Sequence, residues 1–396
     1  MNIVQINTVA HGSTGKIMLQ IASVAKNEGH TTYISVPNGR HNKNKQIENA
    51  IWIGGRFSED IHIILGRLTG RQGCFSKSAT KKFLKRLDNI KPDIIHIHNL
   101  HNCYINLKML FDYIKKNNIR TIWTLHDCWS FTGKCPHFVS ENCEKWKTLC
   151  NNCPQYRSYP QAYIDRTEKM YKLKKEWFTG VNNLTIVTPS NWLADLVRES
   201  YLKEYPVKVI NNGIDLSIFK PTESDFKEKY NLQNKKIVLG VAFGWGYKKG
   251  LDVFIELSKR LPEDYQIVLV GTSESVDSQL PDNIISIHRT QNQKELAEIY
   301  SSADVFVNPT REDTFPTVNM ESLACGIPVV TFKTGGSPEI LDETCGVVVE
   351  KSDIDSLEKE IIRICQENPY SKEACLERAK GFDTTDKFME YVCLYN

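Results

Sequence analysis

The chain has no run of eighteen consecutive apolar residues, so no segment of it reads as a membrane-spanning helix. It also lacks a basic, apolar, small-residue leader. Met1 leads straight into a strand-like run, and cytoplasmic residence is expected. Neither a repeat of fixed period nor a low-complexity tract is present, which excludes solenoids and long disordered linkers. Basic residues are not interleaved with aromatics and no nucleic-acid motif occurs, so nucleic acid is not an expected partner. A complete triphosphate loop is missing too. "HGSTGK", residues 11–16, follows the apolar run at 3–6, but Ile17 stands where a magnesium-binding hydroxyl is needed and Ala10 where the first glycine belongs. A P-loop ATPase or kinase is thereby excluded. What remains is a strand, a turn with Gly12 and Gly15, and a helical pattern. Two readings stay open: a tight reversal, or a loop that aims backbone N–H groups at an anion.

Ordinary globular composition is present: 396 residues, 41% hydrophobic and 24% charged, enough for two or three domains with their own cores. The net charge of +3 conceals an asymmetry. Residues 1–180 hold 27 basic and 13 acidic side chains, a surplus of 14 positive charges, and the remainder holds 23 basic and 34 acidic. A basic half suits a polyanion or an anionic membrane, and an unevenly solvated surface explains it equally. Its richest stretch, residues 76–91, places Lys81, Lys82, Lys85 and Arg86 on much of one helical face, with Phe83, Leu84 and Leu87 packing elsewhere.

Strand-like and helix-like segments alternate. The first half reads as strands at 2–8, 31–36, 93–97, 120–125 and 184–188, with helices at 14–28, about 58–90, 104–117, 161–179 and 190–199. The second half restarts at 207 and continues through 366, and a last helix, about 376–395 with the chain end at 396, is expected to return to the N-terminal domain. This pattern predicts an α/β protein of two doubly wound, Rossmann-like parallel-sheet domains facing a central cleft. The N-terminal domain spans 1–205 with a Cys-rich insertion at 126–160, and the C-terminal domain spans 206–375. Ligands of such sheets bind outside the carboxyl ends of the strands, so the loops that follow strands are where site residues belong.

The most informative loop is "VFVNPTREDTFPTVNMESLACGIPVVTFKTGGSPEI", residues 305–340. Asp313 in the loop and Glu321 a turn inside the next helix face one pocket, with helix-start N–H groups between them. That suits a polyhydroxyl ligand carrying phosphate, since carboxylates accept hydrogen bonds from hydroxyls and the helix start takes the anion. This stretch resembles the signature of retaining GT-B fold glycosyltransferases of family 4. Further matches follow in the family's order: "VINNGID", "KKGLDVFIELSKRL" and "TPSNWLADLV". "PDIIHIHNLH" and "TLHDCWSFTGKC" resemble its capsule, exopolysaccharide and colanic-acid subgroup.

The resemblance implies roles. The C-terminal domain would hold a UDP- or GDP-linked sugar. Asp313 stands where the family has Glu, contacting sugar hydroxyls, with Glu312 beside it. Glu321 would bind the ribose, and Lys249 would neutralise the departing diphosphate. Gly244 occupies the position of the usual partner Arg, so the second charge is absent or comes from Lys248. Phe315, Pro316 and Thr317 would line the diphosphate, and Arg289 would cradle the base. Gly12, Ser13 and Gly15 would approach the donor phosphates, with Lys16 toward solvent or an acceptor phosphate. His126 would sit beside the transferred sugar, and Asn99, His101 and Asp127 are the candidates to meet the acceptor. His96 and His98 share a strand face, as buried, acceptor-contacting or metal-holding residues.

Twelve cysteines are many for a reducing compartment, and five of them cluster. From Cys135 the spacing runs through Cys143 to Cys150 and Cys153, ending in a C-x2-C knuckle. A structural zinc is the expected reading, because this stretch offers few apolar residues for a core. Two disulfides, free thiols, or His137 replacing one cysteine are its rivals.

The expected activity is transfer of a hexose-type sugar to a lipid-linked oligosaccharide at the inner membrane face, for a surface polysaccharide. It would proceed with retention and without a catalytic metal. An epimerase or hydrolase of the same fold, or a non-catalytic nucleotide-sugar binder, are the alternatives.

Overall fold

Short runs such as Ile94–Ile97 and Val305–Asn308 are buried along their whole length. Strands apolar on both faces need helices on both sides, and parallel sheets provide that. The computed structural model describes residues 1–42 and 46–396 and divides into two units, 1–211 with 388–396, and 212–387.

In the first unit the strands are β1 (Asn2–Ile6), β2 (Thr31–Asn38), β3 (Ala50–Gly55), β4 (Ile94–Ile97), β5 (Arg120–Thr124), β6 (Leu184–Thr188) and β7 (Val207–Val209). They form one parallel sheet in the order β3-β2-β1-β4-β5-β6-β7. Its helices are α1 (Gly12–Asn27), α2 (Arg56–Thr69), α3 (Lys77–Ile90), α4 (Leu107–Asn117), α5 (Thr167–Phe178) and α6 (Asn191–Glu199). One core packs Val4, Ile95, Phe111, Trp123 and Phe178 together, and another packs Ile3, Ile17, Ile94 and Ile122.

The second unit carries β8 (Lys236–Val241), β9 (Tyr265–Val270), β10 (Ile284–Ile287), β11 (Val305–Asn308), β12 (Val329–Phe332) and β13 (Gly346–Val349), parallel in the order β10-β9-β8-β11-β12-β13. Around them lie α7 (Phe226–Lys229), α8 (Leu251–Arg260), α9 (Glu274–Asp277), α10 (Gln293–Ser301), α11 (Thr317–Ala324), α12 (Ile354–Glu367) and α13 (Lys372–Lys380), and the chain ends with α14 (Thr384–Cys393).

Four expectations change. The run expected to open the second half at 207 is β7, which pairs with β6 in the first sheet. Strand β3 went unread, and the single helical region at 58–90 is two helices, broken where Gly70 caps α2 in the left-handed region at φ 66°. The helix expected at 376–395 is also two. Between them Ile214 N–H donates to the Phe382 carbonyl at 2.8 Å and Thr384 N–H to the Ile214 carbonyl at 3.0 Å. Those bonds divert backbone groups that a continuous helix would use. The end of α14 then buries Phe388, Tyr391 and Val392 against Ile3, Ile94 and Val187 in the first unit.

Candidate functional site

In the second sheet the strand order reverses between β8 and β11. Loops leaving the carboxyl ends of these neighbours diverge, which opens a crevice there. The loop after β8 ends in Lys248 and Lys249, and the loop after β11 carries Arg311 to Phe315. The two are locked together. Arg311 N–H donates to the Lys248 carbonyl at 2.8 Å. Its buried guanidinium grips both oxygens of Asp252 at 2.7 and 2.8 Å, donates to the Tyr247 carbonyl at 2.6 Å, and lies 4.0 Å over the Tyr247 ring. On this frame Lys249 Nζ meets Asp313 Oδ2 at 2.7 Å, and Lys248 pairs with the buried carboxylate of Glu312. Two cations and two carboxylates thus meet across the reversal point.

Helix α11 starts directly behind this loop. Asn308 Nδ2 donates to Asn319 Oδ1 at 2.7 Å, and Asn319 Nδ2 donates to Ser337 Oγ at 2.8 Å. Thr331 Oγ1 lies 2.7 Å from Ser337 Oγ and donates to the Asn308 carbonyl at 2.9 Å. All four residues are buried, so this satisfied network fixes the ends of β11 and β12, helix α11 and the Gly-rich turn as one body. Within that turn the Thr334 hydroxyl is buried without a hydrogen-bond partner among the described residues. Further along α11, Glu321 accepts from the Tyr300 hydroxyl at 3.2 Å.

The first sheet reverses between β1 and β4. After β1, Asn7 Oδ1 accepts from the N–H groups of Thr8 at 2.9 Å and Asn99 at 3.2 Å, and Thr8 Oγ1 donates to the His101 carbonyl at 3.0 Å. Helix α1 follows, entered through Gly12 at φ 64°, and a Cβ on Gly15 would lie 2.8 Å from the Ala10 carbonyl carbon. Gly15 therefore lets the helix start sit directly on the loop, while Lys16 is exposed. After β4 and β5, His98 Nδ1 lies 3.1 Å from His126 Nε2. His101 Nε2 lies 3.1 Å from Asp127 Oδ2, and its Nδ1 is 3.0 Å from the Tyr159 hydroxyl.

Comparison with known proteins decides what these two sites belong to. The model described as Glycosyltransferase Family 4 matches residues 15–218, and that described as Glycosyl transferases group 1 matches residues 222–381. The chain belongs to glycosyltransferase family 4. WcaC of Escherichia coli (strain K12), named as a colanic acid biosynthesis glycosyl transferase, is 25% identical over 367 residues, covering 89% of this chain and 88% of its own. Among solved structures, the sucrose-phosphate synthase of Thermosynechococcus elongatus superposes with a TM-score of 0.75 at 17% identity, covering 100% of this chain and 98% of its own. Anabaena HepE in complex with UDP gives 0.72 at 14% identity, covering 100% and 99%. The fold is GT-B.

For a family 4 glycosyltransferase the placement of the remaining expected residues is informative. Gly244 lies at φ 78° in open space, and Lys248, next to Lys249, is paired with Glu312. Phe315 does not line a cavity with its ring, which is buried against Phe382 at 5.9 Å. Its N–H donates to Asp313 Oδ1 at 3.3 Å, so its part in the loop is played by the backbone. Pro316 caps α11 and Thr317 opens it. Arg289 is exposed just past β10. Both Asp127 oxygens are engaged, one by His101 and one by the Trp129 N–H at 2.8 Å. His101 and Asp127 therefore brace the loops after β4 and β5 against each other. The Arg311–Asp252 clamp and the Ser337 network were not read from the sequence, because partners from separate loops leave no spacing signal.

His96 and His98 stack at 4.3 Å and are buried. His96 Nδ1 lies 2.8 Å from the Tyr395 hydroxyl and Nε2 2.8 Å from Thr124 Oγ1, while His98 Nε2 is 3.0 Å from the Gln5 amide. Burial holds the His96 imidazole down at about 3, His98 well below the ordinary value, and His126 at about 4 despite Asp127. Such groups are neutral in the folded chain but take up protons near pH 6.5 when unfolded. Stability from them is complete above about pH 6.5 and is lost as pH falls toward 4. For His96 or His126 taken alone, the loss at pH 5 is on the order of 2 kcal/mol. Thermal unfolding followed at pH 7.5 and pH 5 is expected to show a lower midpoint at pH 5, reduced in extent by His96→Gln. An equal midpoint at both would mean that these imidazoles titrate normally.

All five cysteines of the insertion are free thiols. The stretch is not short of a core, contrary to expectation. Trp129, Phe131, Phe138 and Trp146 are buried, and Phe138 stacks on Trp146 at 4.9 Å. Among the described residues no group of three or more His, Cys, Asp or Glu is arranged as a ready metal-ligand set, so zinc is not preformed at Cys135, Cys143, Cys150 and Cys153.

Proposed function

We propose that this glycosyltransferase moves a hexose-type sugar, with retention, from a nucleotide diphosphate to a lipid-linked oligosaccharide destined for a surface polysaccharide. The observation that carries the donor half is the double ion pair at the reversal point of the second sheet. Lys249 and Asp313 are 31% and 21% exposed, and an ion pair this wet contributes at most about 1 kcal/mol. A diphosphate, with more charge than one carboxylate, displaces Asp313 from Lys249. Asp313 is then free to accept from sugar hydroxyls, Lys249 and Lys248 face the phosphates, and the Thr334 hydroxyl gains an acceptor. Glu321 accepts from the ribose. As the glycosidic bond breaks, charge builds on the leaving phosphate, and fixed cations with the first N–H groups of α11 stabilise it without a catalytic metal. HepE, a relative in fold, binds UDP and UDP-glucose, which supports a uridine donor. WcaC, with its colanic acid name, supports the polysaccharide acceptor.

In the first unit, His126 offers a neutral imidazole beside the sugar, positioned by His98. Asn99 and its loop are assigned to the acceptor, and Gly12, which opens the start of α1, to a phosphate of the donor. The test is a thermal-shift screen of UDP- and GDP-sugars, followed by transfer of labelled sugar to a lipid extract. A saturable shift with one nucleotide family and label in the lipid fraction are expected. Release of free or epimerised sugar from donor alone, with no acceptor product, would replace transfer by hydrolysis or epimerisation.

A structural zinc is proposed separately for Cys135, Cys143, Cys150 and Cys153. Supporting it, the four thiols fall within one irregular stretch ending in a C-x2-C knuckle, and Gly133 N–H donates to Cys150 Sγ at 3.1 Å. Four thiolates around Zn2+ carry two net negative charges, which would favour the charged forms of the buried Lys134 and Lys174, forms that burial alone disfavours. Metal analysis of the purified protein is expected to give about one zinc per chain, lost in Cys150→Ser/Cys153→Ser. Metal-free, fully folded protein would leave the aromatic cluster as the insertion's sole support.

A further inference from the structure

Helix α2 is amphipathic with its faces exchanged. Its inward side carries Glu59, His62 and Gly66, all buried. Hydrogen bonds hold Glu59 and His62 there, His62 also lies edge-on to Phe75 at 5.4 Å, and Gly66 permits a close approach. Glu59 accepts from Arg40 N–H at 3.2 Å, His62 is bonded to Ser76 Oγ at 2.8 Å and to Gly73 N–H at 3.1 Å, and a Cβ on Gly66 would press on Cys103 Sγ at 3.1 Å. The outward side carries Phe57, Ile61, Ile64 and Leu68, spaced four, three and four apart, at 80, 40, 55 and 52% exposure. Such spacing makes one continuous stripe.

The stripe does not end with the helix. Tyr163 N–H donates to the Arg67 carbonyl at 2.8 Å, and the Ile164 carbonyl lies against Gly70, which brings two more residues with exposed apolar side chains to the end of α2. With Tyr159, seven of the ten large apolar side chains that lie exposed among the described residues gather here. Single exposed apolar residues need no explanation, but a clustered patch does. Its rim is of one sign: Arg56, Arg67, Arg71, Arg157 and Arg166 are exposed. Asp60 is shared between Arg40 at 3.0 Å and Arg56 at 3.7 Å, and Asp165 is turned toward the N–H groups of Cys153 and Thr167.

We propose that this face docks on an anionic lipid bilayer, with the α2 stripe entering the acyl boundary and the arginines resting among the headgroups. An apolar stripe flanked by long basic side chains is the composition that suits an interfacial helix. A second copy of the chain is a poorer occupant, because a two-fold contact would set arginine rim against arginine rim. Docking also brings a groove of about 770 Å³ to headgroup depth. Arg40, Arg67, Arg157 and Tyr159 line it together with Glu59 and Asp60, whose carboxylates are engaged by the Arg40 N–H and the Arg40 side chain, and Tyr159 is the residue bonded to His101. A lipid-linked phosphate entering there would lead its sugar chain toward the loops after β4 and β5. The proposal extends the reading of a lipid-linked acceptor, and lipid binding can be measured without turnover, so the two fail separately.

The test is co-sedimentation of the full chain with vesicles of phosphatidylglycerol and phosphatidylcholine, against phosphatidylcholine alone. Binding to the anionic vesicles is expected, weakened by salt, and reduced about ten- to a hundredfold in Phe57→Ser/Ile64→Ser. Arg67→Glu/Arg71→Glu should abolish the preference for anionic lipid. Because all four side chains are exposed, unfolding midpoints and donor-induced shifts should stay at the parent's values. Phe243→Ser removes the most exposed phenylalanine of the second unit, at 99%, and is expected to leave sedimentation unchanged. Absence of binding by the parent, or equal binding by Phe57→Ser/Ile64→Ser, would overturn the proposal. Self-association lost in that variant, without vesicle binding by the parent, would reassign the face to a second copy.

Discussion

Lys249→Ala is expected to lower turnover at saturating donor by about a hundred- to a thousandfold, the range found when one fixed group opposite a developing negative charge is removed. Lys249 Nζ is held 2.7 Å from Asp313 by a loop that Arg311 fastens at the Tyr247 and Lys248 carbonyls. The ammonium is therefore placed before the reaction begins, and little reorganisation is needed as charge moves to the leaving phosphate. Donor affinity should fall less than turnover, since charge on the phosphate is greatest in the transition state. Lys249→Arg keeps the charge and changes the reach, so part of the loss should be recovered. Steady-state kinetics with varied donor separate these effects. Near-normal turnover in the alanine variant would remove Lys249 from the mechanism and place the charge on Lys248.

Gly335→Ala should cost both stability and activity. Gly335 has φ 55°, and a Cβ there would lie 1.7 Å from the Asp313 carbonyl oxygen and 2.9 Å from its carbon. Both are backbone atoms, so no side chain can swing aside, and either the Gly-rich turn or the Asp313 loop must move by more than an ångström. Left-handed strain adds to the overlap, for a total of about 3 kcal/mol and a midpoint lowered by roughly 5–10 °C. Displacing Asp313 and Lys249 together should reduce turnover by at least about a hundredfold, as small misplacements of reacting groups do. Gly246→Ala is the matched control. It lies in the loop that carries Lys249, with an extended φ of 172° and nothing within 4 Å of its Cβ position. Both properties should stay near the parent's. If Gly335→Ala behaved like Gly246→Ala, the turn would not determine where Asp313 sits.

The insertion at 126–160 shows how a local composition misleads. Trp129, Phe131, Phe138 and Trp146 are spread along irregular chain without periodicity, so their convergence on one core was not apparent from the sequence. Two further surprises, strand β3 and the break between α13 and α14, have the same origin. The first is a short stretch whose partner β2 decides its state, and the second depends on Ile214, far away in the chain. Propensity is a weak prior where a distant strand supplies the hydrogen bonds.

By itself, the order of apolar runs and turn residues determined two parallel, doubly wound sheets, and the spacing from Asp313 to Glu321 determined where an acidic loop meets a helix start. Those features are local, and local chain geometry is written in local spacing. Only tertiary structure decided that Lys249 reaches Asp313, that Phe315 turns its ring into the core, and that His101 spends both ring nitrogens on bracing its loop. It also decided which side of α2 faces out. A helical repeat shows that a helix has two faces, but the direction of each is set by what lies opposite, and here Ser76, Gly73 and Cys103 offer polar and close contacts that turn the apolar stripe to the outside.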